Sequence, residues 1–277
     1  LNDNLSVVLL FLALVAAAGA LAILRARRKA KERDRIRSQE LTATEESLMF
    51  RIAPLCKRIP LALREHWEGK VRLFLAEKTF VGCQGLEVTD ELRLAIAGQA
   101  CLLLAGREDL DVFPDLSTIY LHPTSYVRRD EWALEGGASV REEGVAFDGE
   151  SWDQGAVVLS VKAVREGSRR LDGFNVVLHE FAHQFDALDG TTDGCPPIPS
   201  AQRAEWAKTM LFEFNALQRA EAKGKHTFLD PYGAESPAEF FAVSVESFFE
   251  LPLDLKSEHP EMHRLFAQAF GTDPALW

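Results

Sequence analysis

Apolar residues recur at helical spacing over residues 174–185, where Phe174, Val177, Leu178, Phe181 and Phe185 share one stripe. Val176, His179, Glu180 and His183 take the other side, so the pattern predicts a helix that buries one face and lines a cleft with the other. Asp172 or Ser168 is its expected cap and Gly190 its stop. A second apolar helix opens at Ser236-Pro237, proline suiting the first helical position, and carries Phe240, Phe241, Val243, Phe248 and Phe249. Helices are also expected over residues 44–77, limited by Pro54 and Pro60, from Thr89 to the stop at Gly106, and from Ser200 to about residue 223. Residues 117–123 and 156–161 read as strands, and residues 78–88 as an extended segment interrupted by Gly82 and Gly85. Residues 130–155 suggest a hairpin or surface loops, and residues 191–200 a loop. Helices outnumber strands, which makes the fold class α+β with a small sheet.

The N-terminus follows a different pattern. Residues 5–24 are uncharged and almost wholly apolar, a run whose length at ~1.5 Å per residue matches a ~30 Å hydrocarbon core. Arg25, Arg27, Arg28, Lys29, Lys31, Arg33, Arg35 and Arg37 follow it, whereas a secretory signal carries its positive charge ahead of the apolar run. The expectation is one transmembrane helix at residues 1–24 and a basic charged linker at residues 25–43, helical or solvated and able to meet anionic lipid. A globular domain then occupies residues 44–277. The positive-inside rule sets this as a single-pass inner-membrane protein with its domain in the cytoplasm.

Composition adds exclusions. A formal net charge of −11 argues against a nucleic-acid partner, whose binding face needs positive excess. Cys56, Cys83, Cys101 and Cys195 form no C-x-x-C pair, which leaves neither a disulfide framework nor a cysteine zinc site and suits a reduced compartment, with Cys195 in a loop as a reactive candidate.

The chemistry lies in His179-Glu180-Phe181-Ala182-His183, an H-E-x-x-H motif. Positions four apart share a helix face, so both histidines can turn a ring nitrogen to one metal ion, while Glu180, about 100° round the helix, can act as a base without ligating. A catalytic site of this kind needs a third protein ligand. Asp189 stands ten residues after His179, but Asp186 occupies the place where that spacing class needs glycine. Glu239, on the helix opened by Ser236-Pro237, would complete a set of two histidines and a glutamate, and Glu246 shares its face seven residues on. Ser236-x-x-Glu239 is equally a capping box, with the glutamate turned to the backbone instead. A purely structural zinc module is disfavoured, because such sites close all four positions, mostly with cysteine.

The stretch from His179 to Asp186, followed by Asp230-x-Tyr232-x-Ala234-x-x-Pro237-Ala238-Glu239-x-Phe241-Ala242-Val243-x-x-Glu246-x-Phe248-Phe249, resembles the Mlc titration factor A (MtfA) family of zinc-dependent peptidases. Ser151-Trp152-x-x-Gly155-x-Val157-x-Leu159 adds to the likeness, which spans roughly residues 45–277. The resemblance implies a zincin-like metallopeptidase domain similar to the catalytic domain of anthrax lethal factor. It implies one Zn2+ per chain held by His179, His183 and Glu239, with Glu180 as general base and Tyr232 assisting catalysis. A peptide or protein substrate, aminopeptidase-like activity and a transcription-regulator partner, the glucose repressor Mlc, are implied as well. The strand at residues 156–161 is the expected cleft edge for a peptide added as a further strand, and Glu246 or Asp186 the expected hydrogen-bond partner of a ligand histidine. The apolar run at residues 5–24 is not part of the enteric members' pattern.

Overall fold

The computed structural model describes residues 2–124, 126–127, 131–133, 139–141, 146–147, 149–152 and 155–277. Helices α1 (Asn2–Arg37), α2 (Ala43–Ile52) and α3 (Leu61–Glu77) lead into strand β1 (Thr79–Gly82), helix α4 (Asp90–Leu102) and strand β2 (Thr118–His122). Short strands β3 (Tyr126–Val127), β4 (Glu131–Ala133), β5 (Ser139–Arg141) and β6 (Ala146–Phe147) precede β7 (Gly149–Trp152) and β8 (Ala156–Ser160). Helices α5 (Val161–Gly167), α6 (Val176–Asp186), α7 (Ser200–Glu221), α8 (Pro237–Glu250), α9 (Pro252–Glu258) and α10 (Pro260–Phe270) complete the chain.

The sheet runs in the order β1-β2-β8-β7, with β1, β2 and β8 parallel and β7 antiparallel to β8. Every residue of β8 is buried, as an apolar strand covered on both faces should be. β8 pairs with β2 on one side and β7 on the other, so it has no free edge. The expectation that residues 156–161 form the cleft edge is therefore corrected: a strand with both ladders filled cannot accept a peptide. Half of residues 130–155, read as a hairpin or surface loops, lie outside the described residues; among the rest, β4 pairs with β5 as an antiparallel hairpin, and β6 pairs antiparallel with β3 just ahead of the range.

The core fills the space between this sheet and α3, α4, α6 and α8. Phe181 of α6 lies 5.5 Å from Phe74 of α3 and 5.1 Å from Phe113, ring centre to ring centre. A second aromatic group joins α8 to α10, where Phe248 stacks on Phe270 at 5.5 Å and Phe241 meets Phe266 at 5.6 Å. These rings fix α6 and α8 against a common background, which the functional site requires.

The apolar N-terminal run belongs to α1, which continues unbroken through the basic residues to Arg37. Its last turns dock on α3: Arg33 pairs with Glu77 at 3.0 Å and donates to Asp111 at 2.8 Å. Any side chain at Gly69 would collide with Arg37, so glycine there permits the close approach. Among the described residues, no helix is long and apolar enough to cross a membrane. The expected transmembrane helix and single-pass inner-membrane location are thereby overturned. The apolar run shares one continuous helix with the basic residues Arg25, Arg27, Arg28, Lys29, Lys31, Arg33, Arg35 and Arg37, so α1 taken whole is not apolar.

Candidate metal centre

α6 begins two residues later than the stripe suggested. Its cap is Asn175, whose side-chain oxygen accepts from the N–H groups of Val177 at 3.1 Å and Leu178 at 3.2 Å, not Asp172 or Ser168. Phe174 thus precedes the helix and is 48 % exposed instead of joining the core, while Val176 is buried rather than lining the cleft.

His179 and His183 stand one turn apart on α6 with ring centres 5.0 Å apart, nearly perpendicular. α8 delivers Glu239 from its first turn. Glu239 Oε2 lies 2.9 Å from His179 Nε2 and 3.5 Å from His183 Nε2. One donor atom from each of the three residues falls within 4.8 Å of the others. The Ser236 hydroxyl caps α8 by accepting from the Glu239 N–H at 3.1 Å, while the Glu239 carboxylate turns to the histidines. One glutamate therefore serves both readings, its backbone in the cap and its side chain in the cluster.

The donor set suits a divalent ion. Metal–ligand bonds of 2.0–2.1 Å at tetrahedral angles separate donors by ~3.3 Å, and the two measured spacings bracket that value. On the far side of His179, Glu246 Oε1 sits 2.8 Å from Nδ1, which fixes the ring and leaves Nε2 directed at the cluster. Among the described residues, neither Glu239 nor Glu246 pairs with a lysine or arginine. Burial opposes charge on His179, but its hydrogen bonds to Glu239 and Glu246 outweigh it and hold the imidazole's pKa well above its ordinary value. Burial likewise opposes the Glu239 carboxylate, yet hydrogen bonds from His179 and His183 bring its pKa to about 2. A pocket that attracts a proton this strongly attracts a cation by the same charges.

Glu180 is buried on α6 beside these groups, 5 % exposed. Tyr232, on the 3-10 turn Pro231–Ala234, has its ring centre 5.9 Å from that of His179 and remains 41 % exposed. Burial, followed by the charges of Glu239, Glu235 and Glu180, raises the pKa of its phenol, so the hydroxyl keeps its proton. Asp189 stays apart, accepting from Arg203 at 2.7 Å and from the Thr191 hydroxyl at 2.9 Å. Asp186 accepts from the Gly194 N–H at 2.7 Å, which leaves Glu246 as the carboxylate hydrogen-bonded to His179. Cys195 is half-buried and burial raises its thiol pKa, the opposite of an activated cysteine.

The model of the family described as glucose-regulated metallo-peptidase M90 matches residues 25–271, nearly the whole chain. The chain belongs to this family. An uncharacterised protein of Synechocystis is 36 % identical over 216 residues, covering 77 % of this chain and 78 % of its own. Mlc titration factor A of Serratia proteamaculans is 36 % identical over 205 residues, covering 72 % and 76 %. Mlc titration factor A of Escherichia coli is 34 % identical over 206 residues, covering 73 % and 76 %. Membership of the M90 family supports a metallopeptidase-like protein that uses a metal ion, and the MtfA resemblance is borne out. Asn175 is a residue that the sequence reading missed as part of the site. Its signal was available: an asparagine immediately before an apolar-periodic run is a strong cap.

Proposed function

We propose that this chain is a zinc-dependent metallopeptidase that hydrolyses peptide bonds, with His179, His183 and Glu239 as zinc ligands. The observation that carries the reading is the convergence of three donor atoms from two helices within 4.8 Å, beside the buried carboxyl of Glu180. Zinc held there supplies Lewis acidity, polarising a substrate carbonyl and making water acidic enough to lose its proton near neutral pH.

Glu180 takes that proton as water attacks the scissile carbonyl carbon, and then returns it to the departing amine. Its place one residue after His179 brings it to the cluster without making it a ligand. The Tyr232 hydroxyl, protonated at all physiological pH, donates to the developing oxyanion. Glu246 holds His179 in the tautomer and orientation that ligation requires. Short peptides, with aminopeptidase-like preference, are the proposed substrates.

The relatives' name favours a second reading: a regulatory protein that sequesters a transcription regulator, with peptidase action minor. Glu180 discriminates between the two, because sequestration alone has no need of a base beside the metal. Metal analysis of the full chain, with turnover of a peptide library by wild type and Glu180→Gln, tests the proposal. Zinc content is expected to be unchanged and turnover to fall by at least about a hundredfold; equal turnover would sink the mechanism.

A further inference from the structure

Asn175 is fully buried and uses every hydrogen-bonding group it has. Its side-chain oxygen caps α6, and its carbonyl accepts from the His179 N–H at 2.9 Å. Its amide Nδ2 donates to Gln99 Oε1 of α4 at 2.7 Å and to Glu250 Oε1 of α8 at 2.8 Å. Its backbone N–H donates to Glu246 Oε2, whose other oxygen faces His179 Nδ1. One residue thus ties the start of the histidine helix to the glutamate helix and to a third helix behind both.

Relative rotation of α6 and α8 is what sets the spacing between His179 and Glu239, since each ligand is fixed to its own helix. A cap needs only the Asn175 oxygen, and serine or aspartate supplies one as well. The amide arm reaching α4 and α8 is surplus to capping. From this surplus, and resting on the metal-centre reading above, we infer that Asn175 is a positioning residue for the metal site, its side chain holding α6 in register with α8. Asparagine is required because Glu250 and Gln99 both present acceptors to it. Aspartate would keep the cap but has no N–H to donate to either. Serine would keep the cap and leave them without the donor.

The test titrates zinc(II) and cobalt(II) into the chelator-stripped full chain of wild type, N175S, N175D, E250Q and N175D/E250Q. Thermal unfolding of the metal-free proteins is measured alongside. N175S and N175D are expected to weaken zinc binding by about 10–100-fold, the range for partners one step behind a ligand. The visible spectrum of the cobalt(II) form should shift, and kcat should fall while KM changes little. N175D/E250Q reverses donor and acceptor between the two positions and is expected to recover most of the affinity lost in N175D. N175S carries the test if N175D does not fold. Folded N175S with wild-type zinc affinity and an unchanged cobalt(II) spectrum would overturn the inference. So would a double variant that regains thermal stability but not zinc affinity, because that is the mark of a contact that serves the fold and not the metal site. A wild-type chain that binds neither ion removes the metal-centre reading itself, and is distinguished by needing no variant.

Discussion

Glu250→Gln is expected to flatten the pH dependence of stability of the metal-free protein. Glu250 is 2 % exposed and accepts from Asn175 Nδ2 at 2.8 Å and from the Gly173 N–H at 3.1 Å. Burial raises its pKa from 4.5 to about 8 against those two hydrogen bonds, with the charges of Glu246 and Asp172 adding to the rise. Between those values the folded state keeps a proton that the unfolded chain has released, so stability falls as pH rises. The loss is absent below pH 4.5 and complete above about pH 8. At ~1.36 kcal/mol per pH unit it reaches about 3 kcal/mol at neutral pH and about 5 kcal/mol at its limit. Glutamine mimics the protonated acid but turns an amide toward the Gly173 N–H, a roughly constant cost of ~1 kcal/mol. Urea unfolding with chelator present should therefore find the variant slightly less stable than wild type at about pH 5, and more stable by ~2 kcal/mol or more at neutral pH and above. Using the difference between the two proteins cancels other groups, notably Asp186, whose pKa burial raises to about 7. Parallel stability curves for the two proteins would refute the reasoning.

The third ligand is decided by zinc content: Glu239→Ala is expected to lose the metal, and Asp189→Ala, remote from the cluster and paired with Arg203, to retain it. If Asp189→Ala loses zinc and Glu239→Ala does not, the ligand set is wrong. Trp206→Ala is expected to cost about 3–5 kcal/mol in urea unfolding, since the indole is 2 % exposed, stacks on Phe266 at 5.4 Å and donates to the Gly194 carbonyl at 2.9 Å. A cost under about 1 kcal/mol would mean that the site closes over the cavity.

What the sequence makes legible depends on how local each feature is. The pairing of His179 with His183 follows from helix periodicity alone and needs nothing beyond α6. Glu239 sits sixty residues downstream, and sequence left ligation and capping as rivals because both are sound local chemistry. Packing of α8 on α6 removes the rivalry, since backbone and side chain satisfy different partners. Phe174 fits the apolar stripe in phase, yet Gly173 at φ +87° and the Asn175 cap delay the start of α6 past it. The strand at residues 156–160 carried a usable warning: its continuous apolar run, without alternation, marks burial on both faces and hence an interior position. The apolar run before Arg25 carried none, because length and hydropathy count residues without knowing what helix they join.

The start of α6, the place of β8 and the course of α1 share a physical origin that bears on the site. Period and charge report which face of an element is buried, but not which neighbour buries it. A ligand set drawn from α6 and α8 depends on that neighbour, because a one-residue rotation of either helix, about 100°, would carry Glu239 away from both histidines. Apolar packing alone holds such a rotation weakly, as similar side chains on one stripe can exchange places at modest cost. A buried hydrogen-bond set with fixed donors and acceptors does not tolerate exchange, since any slip leaves a buried polar group unpaired at ~1–3 kcal/mol each. The polar groups of Gln99, Asn175, Glu246 and Glu250, all nearly or fully buried, meet that requirement. The aromatic core brings α6 and α8 together, and this polar set decides the register in which they meet.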